Sequence, residues 1–128
     1  MILTNQQLVN SIPVLSLLIG MELNIKVSYA IAKNVDRVER ELKLYNTEKQ
    51  KLIDKYGVKD ADGNIIVNEN GTIDIAEDKV EQWNLDVNEL LAIENNVDIH
   101  LINPEDLYKC DCTITPGELM KISFLFSK

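Results

Sequence analysis

Three groups of residues in this chain are of types that do chemistry. The first is His100 with Cys110 and Cys112, the sole histidine and both cysteines. Imidazole and thiolate are zinc ligands, so these three would form a ligand set if they met. Their spacing argues against it. Structural zinc sites use four ligands, with pairs two to four residues apart, and C-x-C with one distant histidine offers three. The same residues are the candidates for a thiol–imidazole nucleophile pair, yet no nucleophile elbow or oxyanion loop adjoins them. The reading is a solvent-facing histidine beside two reduced thiols. Cysteines two apart on a strand have poor geometry for a disulfide.

The second group lies in DADGNIIVNENGTIDI, Asp60 to Ile75, which opens like a calcium loop. With Asp60 as the first ligand, the sixth position needs glycine and holds Ile65. The twelfth needs a bidentate glutamate and holds Gly71. The stretch therefore reads as turns between short β-branched runs.

The third group is the acid. The net charge is −8, and residues 57–108 carry 13 acidic against 2 basic side chains. Residues 1–56 carry 8 basic and 6 acidic, and residues 109–128 carry 3 and 2. Such a balance disfavours nucleic-acid binding, which needs Lys and Arg to neutralise phosphates. It suits a basic protein partner or a solvated acidic face. Asp74, Glu77, Asp78 and Glu81 are the candidate binding residues, with Trp83 beside them. Trp83 has two readings: a core side chain facing a helix, or the aromatic anchor of a binding surface. The carboxylates sit on turns and at a helix start, unlike a convergent glycosidase pair in a cleft. The five glycines fall at turns and helix ends, so there is no phosphate loop. No catalytic residue, metal or cofactor is predicted, and the chain reads as non-enzymatic.

Elements must position these residues. At 128 residues, 45% hydrophobic and 5% aromatic, the chain suits one domain (1–128) with a core of Leu, Ile and Val. Thr4 and Gln7 have capping-box spacing, and Leu8, Ile12, Leu15 and Ile19 predict a helix face running to Gly20. Pro13 either kinks this helix or lies in the first turn of one starting near Ser11. The strongest periodicity follows. Ile31, Val35, Val38, Leu42, Tyr45, Lys49, Leu52 and Tyr56 alternate steps of four and three, among charged neighbours. This predicts a long amphipathic helix from Ile25–Ala30 to Gly57, roughly 45 Å long, with a coiled-coil-like seam.

Val80, Trp83, Val87 and Leu90, with Leu91, predict a second helix over Glu77–Glu94, folding back on the far half of the first. Asn64–Val67 and Thr72–Ile75 are expected to pair as a β-hairpin around Asn70-Gly71, so residues 57–76 form the connection. Asn95-Asn96 reads as a break. Val97, Ile99 and Leu101 then alternate as a strand to about Ile102, and Asn103-Pro104 caps a short helical turn. Cys110–Thr113 reads as another short strand. Thr115–Glu118 is a second capping box, predicting a final helix to Phe126, although Met120, Ile122, Phe124 and Phe126 also alternate like a strand. The fold class expected is α+β and mainly α: a long helical hairpin with a β-hairpin at its tip, an N-terminal helix, a short strand pair and a C-terminal helix.

No apolar run reaches the ~20 residues that cross a bilayer; Ile12–Met21 is the most apolar, and no basic residue precedes it as in a signal peptide.

The segments KVSYAIAKN and KYGVKDADGN…NENG, with the N-terminal T-x-x-Q-L helix, NELL, VDIHLI and TPGELM, give the chain a layout that resembles a family of small proteins encoded by phages and prophages of Gram-positive, low-GC bacteria. The family brings no catalytic motif and no binding residues. The resemblance implies a viral protein acting in the cytoplasm of an infected bacterium. Two roles follow as expectations. One is an interaction protein that blocks or redirects a host macromolecule, such as a defence component, with the acidic face steering a basic surface. The other is virion assembly, as a connector, tail-assembly chaperone or minor structural protein, with the helical seam pairing between copies.

Overall fold

The computed structural model describes residues 1–110 and 113–127. The protein is mainly helical, with a small antiparallel sheet of two strands. No helix among the described residues is long and apolar enough to cross a membrane. The backbone groups into two compact units, Met1–Leu42 with Glu94–Lys128, and Lys43–Ile93. Helix α2, Ile25–Tyr56, contributes to both.

The first unit begins with strand β1, Ile2–Thr4, and helix α1, Asn5–Ile19. The capping box forms as its spacing predicts. The Thr4 hydroxyl accepts from the Gln7 amide at 3.2 Å, and the Gln7 side chain accepts from the Thr4 amide at 2.8 Å. α1 passes through Pro13, so the later start near Ser11 is not used; the Ser11 hydroxyl instead donates to the Leu8 carbonyl at 2.7 Å. The buried face is Leu8, Ser11, Val14, Leu15 and Leu18. Ile19, placed on that face by its spacing, is exposed. From Leu15 the helical period permits either Leu18 or Ile19 next, and the chain buries the former.

Strand β2 is Glu94–Asn96, antiparallel to β1 with Leu3 opposite Asn95. The expected break at Asn95-Asn96 is therefore the strand. Asn95 explains why: its side-chain amide donates to the Asn5 side chain at 2.8 Å and to the Leu3 carbonyl at 3.3 Å, locking the pair. The expected strand Val97–Ile102 does not form as a ladder. Val97 and Ile102 are buried, but the polar groups between them go to α2 side chains. The Asn34 side chain donates to the His100 carbonyl at 2.9 Å and accepts from the His100 amide at 2.8 Å. Arg37 donates to the Asp98 carbonyl at 2.6 Å. Side chains of a helix thus stand where a neighbouring strand would.

Asn24 starts α2, its side chain accepting from the Val27 amide at 3.0 Å. Val27, Ala30, Ile31, Asn34 and Val38 are buried along the helix. Asn103 caps α4, Pro104–Tyr108, as its Asn-Pro pair predicts, accepting from the Glu105 amide at 3.0 Å. Thr115 and Glu118 close the second capping box on α5, Pro116–Lys121. This helix stops five residues short of the expected Phe126. Ile122 leaves helical geometry and Ser123–Leu125 form a single 3₁₀ turn. Ile122 and Leu125 are fully buried, and Phe126 makes one parallel bridge to Ile102. The helical and extended patterns in this segment are each used over part of its length. The expected strand Cys110–Thr113 includes positions 111 and 112, which lie outside the described residues.

In the second unit, three short extended arms connect the end of α2 to α3, Val80–Leu91. The arms are residues 57–59, 65–67 and 73–75. Each bridges both others: Lys59 to Ile65, Val67 to Ile73, and Ile75 to Gly57, all antiparallel. The corner bonds repeat with the same eight-residue period: Asp60 N to Asn64 O, Asn68 N to Thr72 O, and Ala76 N to Tyr56 O, at 2.8, 2.8 and 3.0 Å. So do the turn bonds from Gly63 to Asp60, Gly71 to Asn68 and Lys79 to Ala76, at 3.1, 2.9 and 2.8 Å. This is a pseudo-threefold β cap. The two runs expected as a hairpin do meet, and a third arm, Gly57–Lys59, joins them.

The repeat is visible in the sequence once aligned: GVKDADGN, IIVNENGT, IDIAEDKV. Gly63 and Gly71 have φ of +84° and +82°, the left-handed conformation that glycine adopts without penalty. The third turn has Lys79 there, with φ −114°, and opens into a 3₁₀ turn (Glu77–Lys79) leading into α3. The first position of each arm explains Gly57. A Cβ on Gly57 would stand 2.7 Å from the Ile53 carbonyl oxygen and 3.0 Å from Ile65 Cδ1. Ile65 and Ile73 fill the space that a third side chain would need. Gly57→Ala is therefore expected to lower stability by about 1–3 kcal/mol through overpacking. Gly117→Ala, where nothing lies within 4 Å, is expected to change it by less than about 0.5 kcal/mol. Denaturant melts of the two variants check this; equal midpoints would mean that the cap relaxes freely.

Candidate functional site: exposed carboxylates and Trp83

The four acidic residues singled out from the sequence all lie in the second unit and all are exposed. Asp74 sits on the third arm of the cap and accepts from the Asn68 side chain at 3.3 Å. Glu77 and Asp78 lie in the 3₁₀ turn, and Glu81 in the first turn of α3. Carboxylates at a helix start are stabilised by the unpaired amides and dipole there. Among the described residues, none of the four is in an ion pair. Their charge faces solvent, apart from nearby Lys79, whose ammonium reaches the Lys55 carbonyl at 3.5 Å.

Trp83 is half-buried. Its ring stands edge-on to Tyr56, with centroids 6.4 Å apart and planes at 82°, a favoured aromatic geometry. Its ring thus meets the last residue of α2, and part of its surface stays accessible. The Tyr56 hydroxyl donates to Asp86 Oδ2 at 2.5 Å, and Gln82 donates to Asp86 Oδ1 at 2.9 Å. These two donors hold the Asp86 carboxyl below its ordinary range, Tyr56 contributing most. Tyr56, Gln82 and Asp86 fix the platform on which Trp83 sits. Sequence reasoning placed Tyr56 in the seam and missed its polar end. The available signal was Gln82 and Asp86, four apart on one helix face.

His100 is exposed and stands edge-on to Tyr29 at 6.4 Å. Cys110 is half-buried, its sulfur 3.2 Å from the Asn24 side-chain amide and 3.5 Å from the Asp106 carbonyl. Cys112 lies outside the described residues. Among the described residues, no cluster of three His, Cys, Asp or Glu is placed to hold a metal ion. Asp60, the would-be first calcium ligand, has one carboxylate oxygen accepting from the Asp62 and Asn64 amides at 2.9 and 3.0 Å. It is a turn-forming side chain.

Compared with known protein families, curated proteins and solved structures, the chain matches none.

Proposed function

We propose that this is a non-enzymatic interaction protein, encoded by a phage or prophage, that binds a basic surface on a host protein and blocks or redirects it in the cytoplasm of the infected bacterium. The contact is made by Asp74, Glu77, Asp78 and Glu81, with Trp83 as the apolar anchor. The finer fold belongs to this reading: the end of α2 and α3 form a helical hairpin that presents the acidic face beside the β cap. The observation that carries it is that one stretch of ten residues holds four exposed carboxylates and a half-buried indole edge-on to Tyr56. Charge of one sign speeds encounter with an opposite surface, and a pre-positioned tryptophan supplies affinity at little entropic cost. The resemblance to phage proteins supports the setting.

The runner-up is a role in virion assembly. Its motif is the helical seam, of which Ile31, Val38 and Leu42 are already buried within the chain, leaving less of it for pairing between copies. Affinity capture from infected cells separates the two. The proposal expects one host protein in near-equal amount and none of the protein in purified particles. Recovery of portal, tail or capsid proteins would overturn it.

A further inference from the structure

The second turn of the β cap carries the chemistry of a self-modification site. Thirteen asparagines occur in the chain, and only Asn70 precedes a glycine. Asn70 is exposed, and Gly71 has φ of +82°. Gly71 also has no side chain to shield its backbone nitrogen, and nothing lies within 4 Å of where a Cβ would stand. The Asn70 side chain is folded back along the backbone. Its Oδ1 accepts from the Thr72 amide at 3.2 Å and from the Thr72 hydroxyl at 2.6 Å. The ring closed by the first of these bonds contains both Asn70 Cγ and the Gly71 nitrogen. The two donors converge on the oxygen that gains negative charge when a nucleophile adds to Cγ.

We propose that Asn70 deamidates through a succinimide formed with Gly71. Base removes the Gly71 N–H proton, after the bond from that N–H to the Asn68 carbonyl (2.9 Å) opens. The nitrogen lone pair forms a bond to Asn70 Cγ. The charge that develops on Oδ1 is held by Thr72. The Cγ–Nδ2 bond then breaks and ammonia leaves with a proton. Water opens the five-membered ring, giving aspartate when it adds at one carbonyl and isoaspartate at the other. No oxidant, reductant or cofactor takes part.

The cap itself displays the aspartate product. Asp62 occupies the position equivalent to Asn70 one repeat earlier, before Gly63 with φ of +84°. The aspartate form therefore fits the turn and adds one negative charge to an already acidic unit. The isoaspartate form inserts an extra backbone carbon and cannot keep the Asn68–Thr72 corner bond in register.

The test is incubation of the folded full-length chain at neutral and mildly alkaline pH, with peptide mass mapping over time. Asn70 is expected to gain about one dalton before any other asparagine, and faster at the higher pH. Enzymatic methylation of isoaspartate should label the same peptide. Thr72→Val keeps the backbone donor and removes the hydroxyl, so it should slow the reaction by about tenfold, the effect of one lost hydrogen bond. Asn70→Asp is expected to stay folded and to abolish the mass gain. Reaction at Asn70 no faster than at the other twelve asparagines would overturn the proposal. An unchanged or higher rate in Thr72→Val would overturn the role given to its hydroxyl.

Discussion

Asn34→Ala is expected to destabilise the protein by about 2–4 kcal/mol. Asn34 is fully buried and serves both polar groups of the His100 backbone. Removing the carboxamide strands an amide and a carbonyl that have no ladder partner, and leaves a void beneath them. Asn34→Leu fills the void but leaves the two backbone groups unserved, so it should recover only part of the loss. Urea denaturation of the three proteins measures this. Near-equal stability of wild type and Asn34→Ala would mean that water replaces the carboxamide and that the 97–102 segment is held by its apolar residues alone.

Leu42→Ala is the second large effect, about 2–5 kcal/mol. Leu42 is 6% exposed and sits between buried Val38 and Tyr45 in the α2 seam. The loss combines the transfer free energy of the removed methyl groups with the cavity left behind. Leu44→Ala is the matched control, since Leu44 is 68% exposed and should change stability by less than about 0.5 kcal/mol. If both variants melt together, the seam is open in solution and waits for a partner.

These residues also show what the sequence made legible. Leu42, Tyr45 and Tyr56 were readable because a sustained helical period has one physical solution, burial of one face. Thr4 with Gln7, and Thr115 with Glu118, were readable because a capping box is a local bond between residues three apart. Asn34 was not readable, since its role depends on a segment 66 residues away. The same distance hid the fate of Val97–Ile102. Alternation predicts an extended chain, and it cannot say whether a strand or a helix side chain will satisfy it. The β cap was legible in principle through its eight-residue repeat, but the third repeat, IDIAEDKV, lacks the turn glycine and leads into α3. The candidate site was legible as composition. Its acidic residues lie on the third arm of the cap, in the 3₁₀ turn and in the first turn of α3, while the Tyr56–Asp86 bond joins residues 30 apart, of which the Gln82–Asp86 spacing signals only the acceptor.

Burial is unevenly divided along the chain. The first unit contains most of the fully buried apolar side chains, whereas in the second Tyr45, Tyr56 and Leu90 are the buried apolar residues among those described. Leu44, Ile66, Val67, Val80 and Leu85 are exposed there. A unit with so small an interior draws its order from backbone corners and turn side chains, as in the β cap.

The measurement that bears most directly on the binding account is the affinity of the captured host protein for the native chain and for a variant with Asp74, Glu77, Asp78 and Glu81 changed to lysine, each at low and high salt. Binding is expected to be lost in the variant, which stays folded although its melting point falls with the loss of the helix-start carboxylates, and the native affinity is expected to fall steeply as salt rises. Binding that survives both the charge reversal and the salt would contradict it and place the contact elsewhere on the chain.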